Sequence, residues 1–564
     1  MSETQITITN SVETQKNPDA KFPWYSPETG IYTSKHPNIQ LPQNPFLDVV
    51  THIFSYNNNY DASCIIDYSS GYSIPYSKLF SLVKSMSFSL NEMGFSQGDV
   101  ALILLPNSVY FPIVLMGVLY LGGIVTPMNP LSSFSEVKHQ ILGCHARFAF
   151  SFGENVAKLR SLGLKVIEVP ANLNPDDKTN QSCDFYRLVY GNVGKSVARP
   201  VINQDNTATI MYSSGTTGAS KGVILTHRNL ISMVELFVRF EASQYPEMSC
   251  QNVYLDVLPM FHIYGLALFG LGLLSLGTSV VVMRKFDINE VFQAIEKHKV
   301  THFPVVPPIM AALSMKARSL TDGNGLSSLK QVSCGAASIT TKVIGDFLHT
   351  FPNIDFIQGY GMTESTAVGT RGFNIENSQK HTSVGLLAPN MEAKVVNWTT
   401  GSCLPPGKAG ELLLRGPGVM KGYLNNSEAT RFTIEDDGWL HTGDIAYFDN
   451  DGYLYILDRL KEIIKYKGFQ IAPADLESVL MSHPEILDAA VTGAADEEAG
   501  EIPVAFVIKN PNSILSRDDV INYVAKEVAP YKKVRQVIFV KSIPKSAAGK
   551  VLRRQLRNLL PSKL

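Results

Sequence analysis

The sequence predicts an α/β protein with an antiparallel β portion: a large N-terminal domain of packed sheets and helices, and a small α+β C-terminal domain. Three observations carry this. Short apolar runs alternate with helix-period segments over most of the chain, as strand–helix units in a largely parallel sheet do. From about Met391 the runs become short strands separated by Gly, Pro and Asp turns, as in an antiparallel region. Beyond Asp458-Arg459 the chain turns basic and then mixes helix and strand again, and 564 residues exceed what one hydrophobic core holds. A boundary at Asp458 divides the chain into 1–457 and 458–564, the second piece being of ordinary size for a small domain.

Val100-Ala-Leu-Ile-Leu-Leu105 reads as a buried strand, with Asn107 and Ser108 as a cap for a helix over 110–120. Gly122-Gly123 ends that helix, and Ile124-Val125 opens the next strand. Further strands are predicted at 148–150, 165–169, 254–258 and 302–306, and antiparallel ones at 392–396, 410–414 and 453–457. The uncharged stretch 263–283 is long enough to suggest a membrane span. Four glycines punctuate it and Val280-Val-Val-Met283 reads as a strand, so a buried helix, a turn and a buried strand are expected instead.

Lys plus Arg is 49 and Asp plus Glu is 50, a net charge of -1 that supplies no field for nucleic acid or an anionic membrane. The six cysteines are scattered, without the spacing of a zinc site or a disulfide framework, and fit a reducing compartment. The polar stretch from Ser2 to Lys16 lacks the apolar core of a signal peptide. The chain closes with Ser562-Lys563-Leu564, the tripeptide read by the peroxisomal import receptor, so a peroxisomal location is expected.

The apolar run Ala208-Thr-Ile-Met-Tyr212 leads into Ser213-Ser-Gly-Thr-Thr-Gly-Ala-Ser-Lys221. Gly215 and Gly218 let backbone N–H groups approach an anion; Ser213, Ser214, Thr216 and Thr217 add hydroxyl donors, and Lys221 adds charge. The spacing is not that of a Walker loop, which places Gly-Lys-Ser/Thr together. Anion binding follows from composition; P-loop NTPase chemistry does not.

This segment resembles the signature of the acyl-adenylate-forming superfamily, which includes acyl-CoA synthetases, 4-coumarate–CoA ligases, beetle luciferases and peptide-synthetase adenylation domains. Further motifs follow in the family's order: Gln358-Gly-Tyr-Gly-Met-Thr-Glu-Ser365, Gly438-Trp-Leu-His-Thr-Gly-Asp444, the run from Asp458-Arg459 to Gln470, and Pro544-Lys-Ser-Ala-Ala-Gly-Lys550. With Leu258-Pro-Met-Phe-His-Ile-Tyr264, the wording is most similar to plant 4-coumarate–CoA ligase-like enzymes. The resemblance implies a C-terminal domain that moves about a hinge near Asp458. It also implies a two-step reaction: a carboxylate attacks the α-phosphorus of ATP and expels pyrophosphate, then the CoA thiol attacks the acyl-adenylate and expels AMP.

That resemblance assigns roles. The loop 213–218, Lys221 and Thr363 would hold phosphates, Glu364 the Mg²⁺, and Asp444 and Arg459 the ribose, with Lys461 nearby. Gln358, Gly359 and Tyr360 would line the adenine and acyl-phosphate region. Lys550 would neutralise charge during adenylation, while Lys465 and Gln470 would serve the second half-reaction. Lys285, Lys467 and Gly468 would contact CoA, and His262 would lie beside the carboxylate. Tyr264, Leu268, Gly335, Ala336, Gly361 and Arg371 would form the acyl pocket. A basic helix is expected at 551–557.

The acyl pocket is where the sequence departs from the ligase pattern: Leu268 replaces a small polar residue, Cys334-Gly-Ala-Ala-Ser338 replaces Ser-Gly-Ala-Ala-Pro, and Arg371 is unexpected. An aromatic propenoic acid of the cinnamate or 4-coumarate type is the favoured substrate; a fatty or oxylipin (jasmonate-precursor) acid is the alternative. Luciferase-like oxygenation and carrier-protein loading are rival activities on the same fold.

Overall fold

In the computed structural model, residues 22–56, 63–171, 174–175, 183–195, 197–213, 221–245, 251–319, 326–373, 379–467, 469–496, 499–528, 530–546 and 549–560 are described. The described residues form four sheets of seven, nine, six and five strands. In the seven-stranded sheet, Ile124–Pro127, Val100–Ile103, Phe148–Ser151 and Lys165–Glu168 run parallel. Val100–Ile103 and Phe148–Ser151 are buried throughout, as their continuous apolar composition requires in a sheet covered on both faces. Thr207–Ser213 joins this sheet in parallel, and Lys221–Thr226 returns antiparallel to it. The nine-stranded sheet carries Val253–Asp256, Ser279–Val282, His302–Val305, Gln331–Cys334 and Asp355–Tyr360 in parallel.

The antiparallel region is the six-stranded sheet, in which Glu392–Val396, Gly410–Arg415, Leu440–Phe448 and Leu454–Arg459 are neighbours in sequence order. Leu454–Arg459 belongs to this sheet, and the next strand, Ile464–Tyr466, belongs to the five-stranded one. The five-stranded sheet has its own apolar clusters, drawn only from Ile464 onward. No described helix is long and apolar enough to cross a membrane. The stretch 263–283 folds as a short helix, a π-helical turn Leu266–Leu271, a 3-10 turn Gly272–Leu276 and the strand Ser279–Val282, with Gly277 at φ +73° turning the chain.

Two local expectations change. The helix Phe111–Tyr120 has no side-chain cap. Asn107 instead spends its amide on the neighbouring sheet, donating to both carboxylate oxygens of Asp256 at 3.1 Å and to Leu258 O at 2.8 Å. The C-terminal basic helix is shorter than expected, Arg553–Arg557, because Val551 pairs as a β-bridge with Lys545.

Candidate active site

A cavity of about 610 Å³ opens beyond the carboxyl ends of the parallel strands, where open α/β sheets bind ligands. Its wall includes Ser213 and Lys221, Gly335 and Ala336, Gly359 to Glu364, and His262 to Tyr264, all at strand ends or in the loops that follow them. From the six-stranded sheet come His441 to Gly443 and Arg459; from beyond the strand Leu454–Arg459 come Lys461, Ser546 and Lys550.

One part of the wall is set by an antiparallel strand pair. Its register places Lys221 directly opposite Ser213. Ser214, Gly215, Thr216, Thr217 and Gly218 lie outside the described residues. Ser213 Oγ donates to Glu364 Oε1 at 3.1 Å, and Tyr423 Oη donates to the same oxygen at 3.1 Å. A single carboxylate at the cavity wall beside hydroxyl groups fits Mg²⁺, which keeps most of its waters. The Lys221 ammonium sits 4.8 Å from the Tyr423 ring centroid. Lys461 is lowered by partial burial and then by repulsion from Lys221 and Arg459, so three cations converge here.

A hairpin builds another part of the site. Its register pairs Asp444 with Arg459. Asp444 is buried, accepts from Tyr360 Oη at 2.6 Å, and meets Arg459 Nε at 3.1 Å. Gln358, on the same strand as Tyr360, does not line the cavity; its amide donates to His381 O at 2.6 Å.

Lys550 follows Gly549, whose φ is +75° and whose position is fixed against Pro308. Burial lowers its ammonium to about 8, Arg459 pushes in the same direction, and Glu462 and Asp444 oppose. Three residues on, the half-buried Arg553 is ion-paired to Glu462 and to Glu477, the latter at 2.6 Å, which ties the Lys550 turn to the segment just after Arg459. Asp458 is raised by burial to about 6, and accepts from Arg459 N at 2.7 Å and from Ala474 N at 2.8 Å.

The other lysines are elsewhere. Lys465 and Lys467 are exposed on the five-stranded sheet and do not line the cavity, nor does Lys285. Lys467 has φ +46°, and its amide donates to Ala499 O at 2.8 Å. Gln470 is in the strand Phe469–Ile471; its side chain and Gly468 lie outside the described residues.

Elsewhere on the cavity wall, burial holds His262 down to about 4, so it is neutral. Its Nδ1 accepts from Tyr264 N at 3.4 Å, a tautomer that presents Nε2–H as a donor. Asn107 sets this loop: its Oδ1 accepts from Met260 N at 2.9 Å while its amide holds Asp256, which burial raises. The sequence carries no signal for that role, since Asn107 reads locally as a cap. Tyr264, Gly335, Ala336, Gly361 and Arg371 line the cavity. Leu268 does not; it is buried in the π-helical turn, one layer back.

The order of these parts matches known proteins. A model of the AMP-binding enzyme family matches residues 55–424, and one of the AMP-binding enzyme C-terminal domain matches 475–550. The chain belongs to the AMP-binding enzymes. Within them it is an AMP-forming acid–thiol ligase. It is 56% identical to 4-coumarate–CoA ligase-like 6 of Arabidopsis thaliana, over 99% of both chains. It is 42% identical to peroxisomal OPC-8:0-CoA ligase 1 of the same plant, over 94% of this chain and 96% of that one. The fold matches ATP-bound MatB from Rhodopseudomonas palustris with a TM-score of 0.81 at 24% identity, covering 91% of this chain and 98% of the other. It also matches o-succinylbenzoate CoA synthetase from Bacillus subtilis in complex with ATP and magnesium ion, with a TM-score of 0.76 at 26% identity over 90% and 99%.

Proposed function

We propose that this AMP-binding enzyme joins an aromatic propenoic acid of the cinnamate or 4-coumarate type to CoA, in two steps at one cavity. The observation that carries the reading is the meeting of Lys550, Glu364, Lys221 and His262 in a single cavity, with Asp444 held behind it by Tyr360 and Arg459. Lys221 and Lys461 face the phosphates, Glu364 holds Mg²⁺ when it is bound, and Asp444 accepts from the ribose hydroxyls. Mg²⁺ supplies charge neutralisation on the phosphate oxygens. Neutral His262 donates Nε2–H to the acid without competing for a proton. Lys550 meets the charge that develops as the carboxylate attacks, so the described arrangement suits adenylation.

The second step needs different residues. We assign 1–457 and 458–564 as separate domains with Asp458 as the hinge. Rotation about it withdraws Lys550 and brings Lys465 and Gln470 to the adenylate, with Lys467, Gly468 and Lys285 toward CoA. The exposure of Lys465 and Lys467 supports this, since both are free to enter another surface. Ser562-Lys563-Leu564, outside the described residues, would direct the enzyme to the peroxisome through the import receptor. The likeness to an OPC-8:0-CoA ligase keeps oxylipin acids as the second reading. A panel of cinnamate-type, benzoate-type and fatty or oxylipin acids with ATP, Mg²⁺ and CoA, scored for AMP and thioester, tests both. Cinnamate-type acids are expected to lead. AMP formation only with oxylipin acids reverses the order, and no pyrophosphate from any acid removes the proposal.

A further inference from the structure

We propose that the Glu241–Arg371 ion pair is the specificity-determining floor of the acyl site, favouring acids whose far end carries a hydroxyl over acids that end in an alkyl tail. The inference rests on the acid-binding reading above. Arg371 lies on the short strand Thr370–Arg371, opposite Gly359 at the end of Asp355–Tyr360. A Cβ at Gly359 would stand 2.7 Å from Arg371 Nη1 and 3.2 Å from its Cδ, so glycine is what lets the arginine lie across the strand end. From there Nη2 donates to Glu241 Oε1 at 2.9 Å, and Nε makes a second close contact to Oε2. The guanidinium carbon is 5.0 Å from the Phe237 ring centroid. The side chains of Arg371 and Glu241 are only 7% and 12% exposed, yet Arg371 is part of the cavity wall.

Around it the wall includes Phe237, Gly335, Ala336 and Ala367, none with a side-chain donor, and Thr370, whose hydroxyl donates to Val384 O at 2.7 Å. Tyr264 lines the same end, and its buried hydroxyl, beside Arg371 and Ser333, makes no hydrogen bond of good geometry among the described residues. A guanidinium carries five N–H donors; Glu241 accepts from Arg371, and the Tyr264 hydroxyl is the other oxygen beside it. The floor therefore offers donors. A hydroxyl on the substrate can accept from it. An alkyl end would strip water from the same N–H groups and return nothing. Discrimination of this kind exceeds what methylene-by-methylene fit provides. Leu268, the position at which the sequence first departs from the ligase pattern, is one layer too deep to contribute.

Either single change strands a buried charge, so the informative variant removes both: Glu241→Leu with Arg371→Met. Pyrophosphate release is measured with 4-hydroxycinnamic acid, cinnamic acid and octanoic acid. The native enzyme is expected to favour the hydroxylated acid over cinnamic acid by at least about tenfold in kcat/KM. The double variant is expected to lose that preference and to accept octanoic acid. A folded double variant that keeps the preference and still rejects octanoic acid overturns the inference. If the double variant does not fold, binding of the two cinnamic acids to the native enzyme decides, and equal affinities overturn it. The absence of pyrophosphate with every acid would instead overturn the ligase reading itself.

Discussion

The two ends of the cavity handle charge in opposite ways. At the nucleotide end Lys221, Lys461 and Lys550 form no ion pair among the described residues, and crowding and burial hold the last two below the usual lysine range. At the acyl end the single buried cation, Arg371, is neutralised by Glu241 within the protein and raised by it. On the proposed reading, cations that await a polyanion stay uncommitted, whereas the cation that shapes the pocket carries its own counterion, because a lone buried charge would be too costly.

The largest expected effect breaks the paired end. Arg371→Met alone leaves Glu241 buried without a partner and should lower stability by about 3–5 kcal/mol, read by denaturant unfolding. The companion double variant should recover most of that loss. At the nucleotide end, Lys550→Ala should slow adenylation by about 10²–10³ while sparing CoA transfer to a supplied acyl-adenylate. Lys465→Ala should do the reverse, and equal loss in both half-reactions for either variant removes the division of labour. Tyr360→Phe takes one hydrogen bond from Asp444 and should weaken AMP binding by about 1.5–3 kcal/mol, measured calorimetrically.

The smallest effect is one of pH. Lys550 is lowered to about 8, so its charge is present below that value and lost above it. The kcat/KM for ATP should be level below pH about 8 and fall above it. The descending limb should vanish in Lys550→Ala; a limb that persists belongs to another group. The same group contributes to stability with the opposite sense. Because the folded amine gives up its proton more readily than the unfolded one, stability gains as pH rises from about 8 toward the ordinary lysine value.

Much of this was legible in the sequence because it is local. Alternating apolar runs fixed the parallel strands, the turn-rich segment beyond Met391 fixed the antiparallel sheet, and the motif residues Glu364, Asp444 and Lys550 were each set off by their neighbours. Three things were not. Asn107 looked like a helix cap, but its partners Asp256 and Met260 are about 150 residues away. Leu268 looked like a pocket residue, but the π-helical turn rotates it into the core. Arg371 looked out of place, and nothing near it in sequence points to Glu241, 130 residues earlier.

By itself, then, the sequence determined the fold class, the order of the motifs and the enzyme family, which depend on residue type within short segments. Only the tertiary structure decided which lysines face the cavity, that Asp444 is clamped between Tyr360 and Arg459, and that Arg371 in the cavity wall is paired with Glu241. Those depend on side chains from distant strands meeting at fixed distances, and burial, which sets their energies, is a property of the packed molecule and not of any segment.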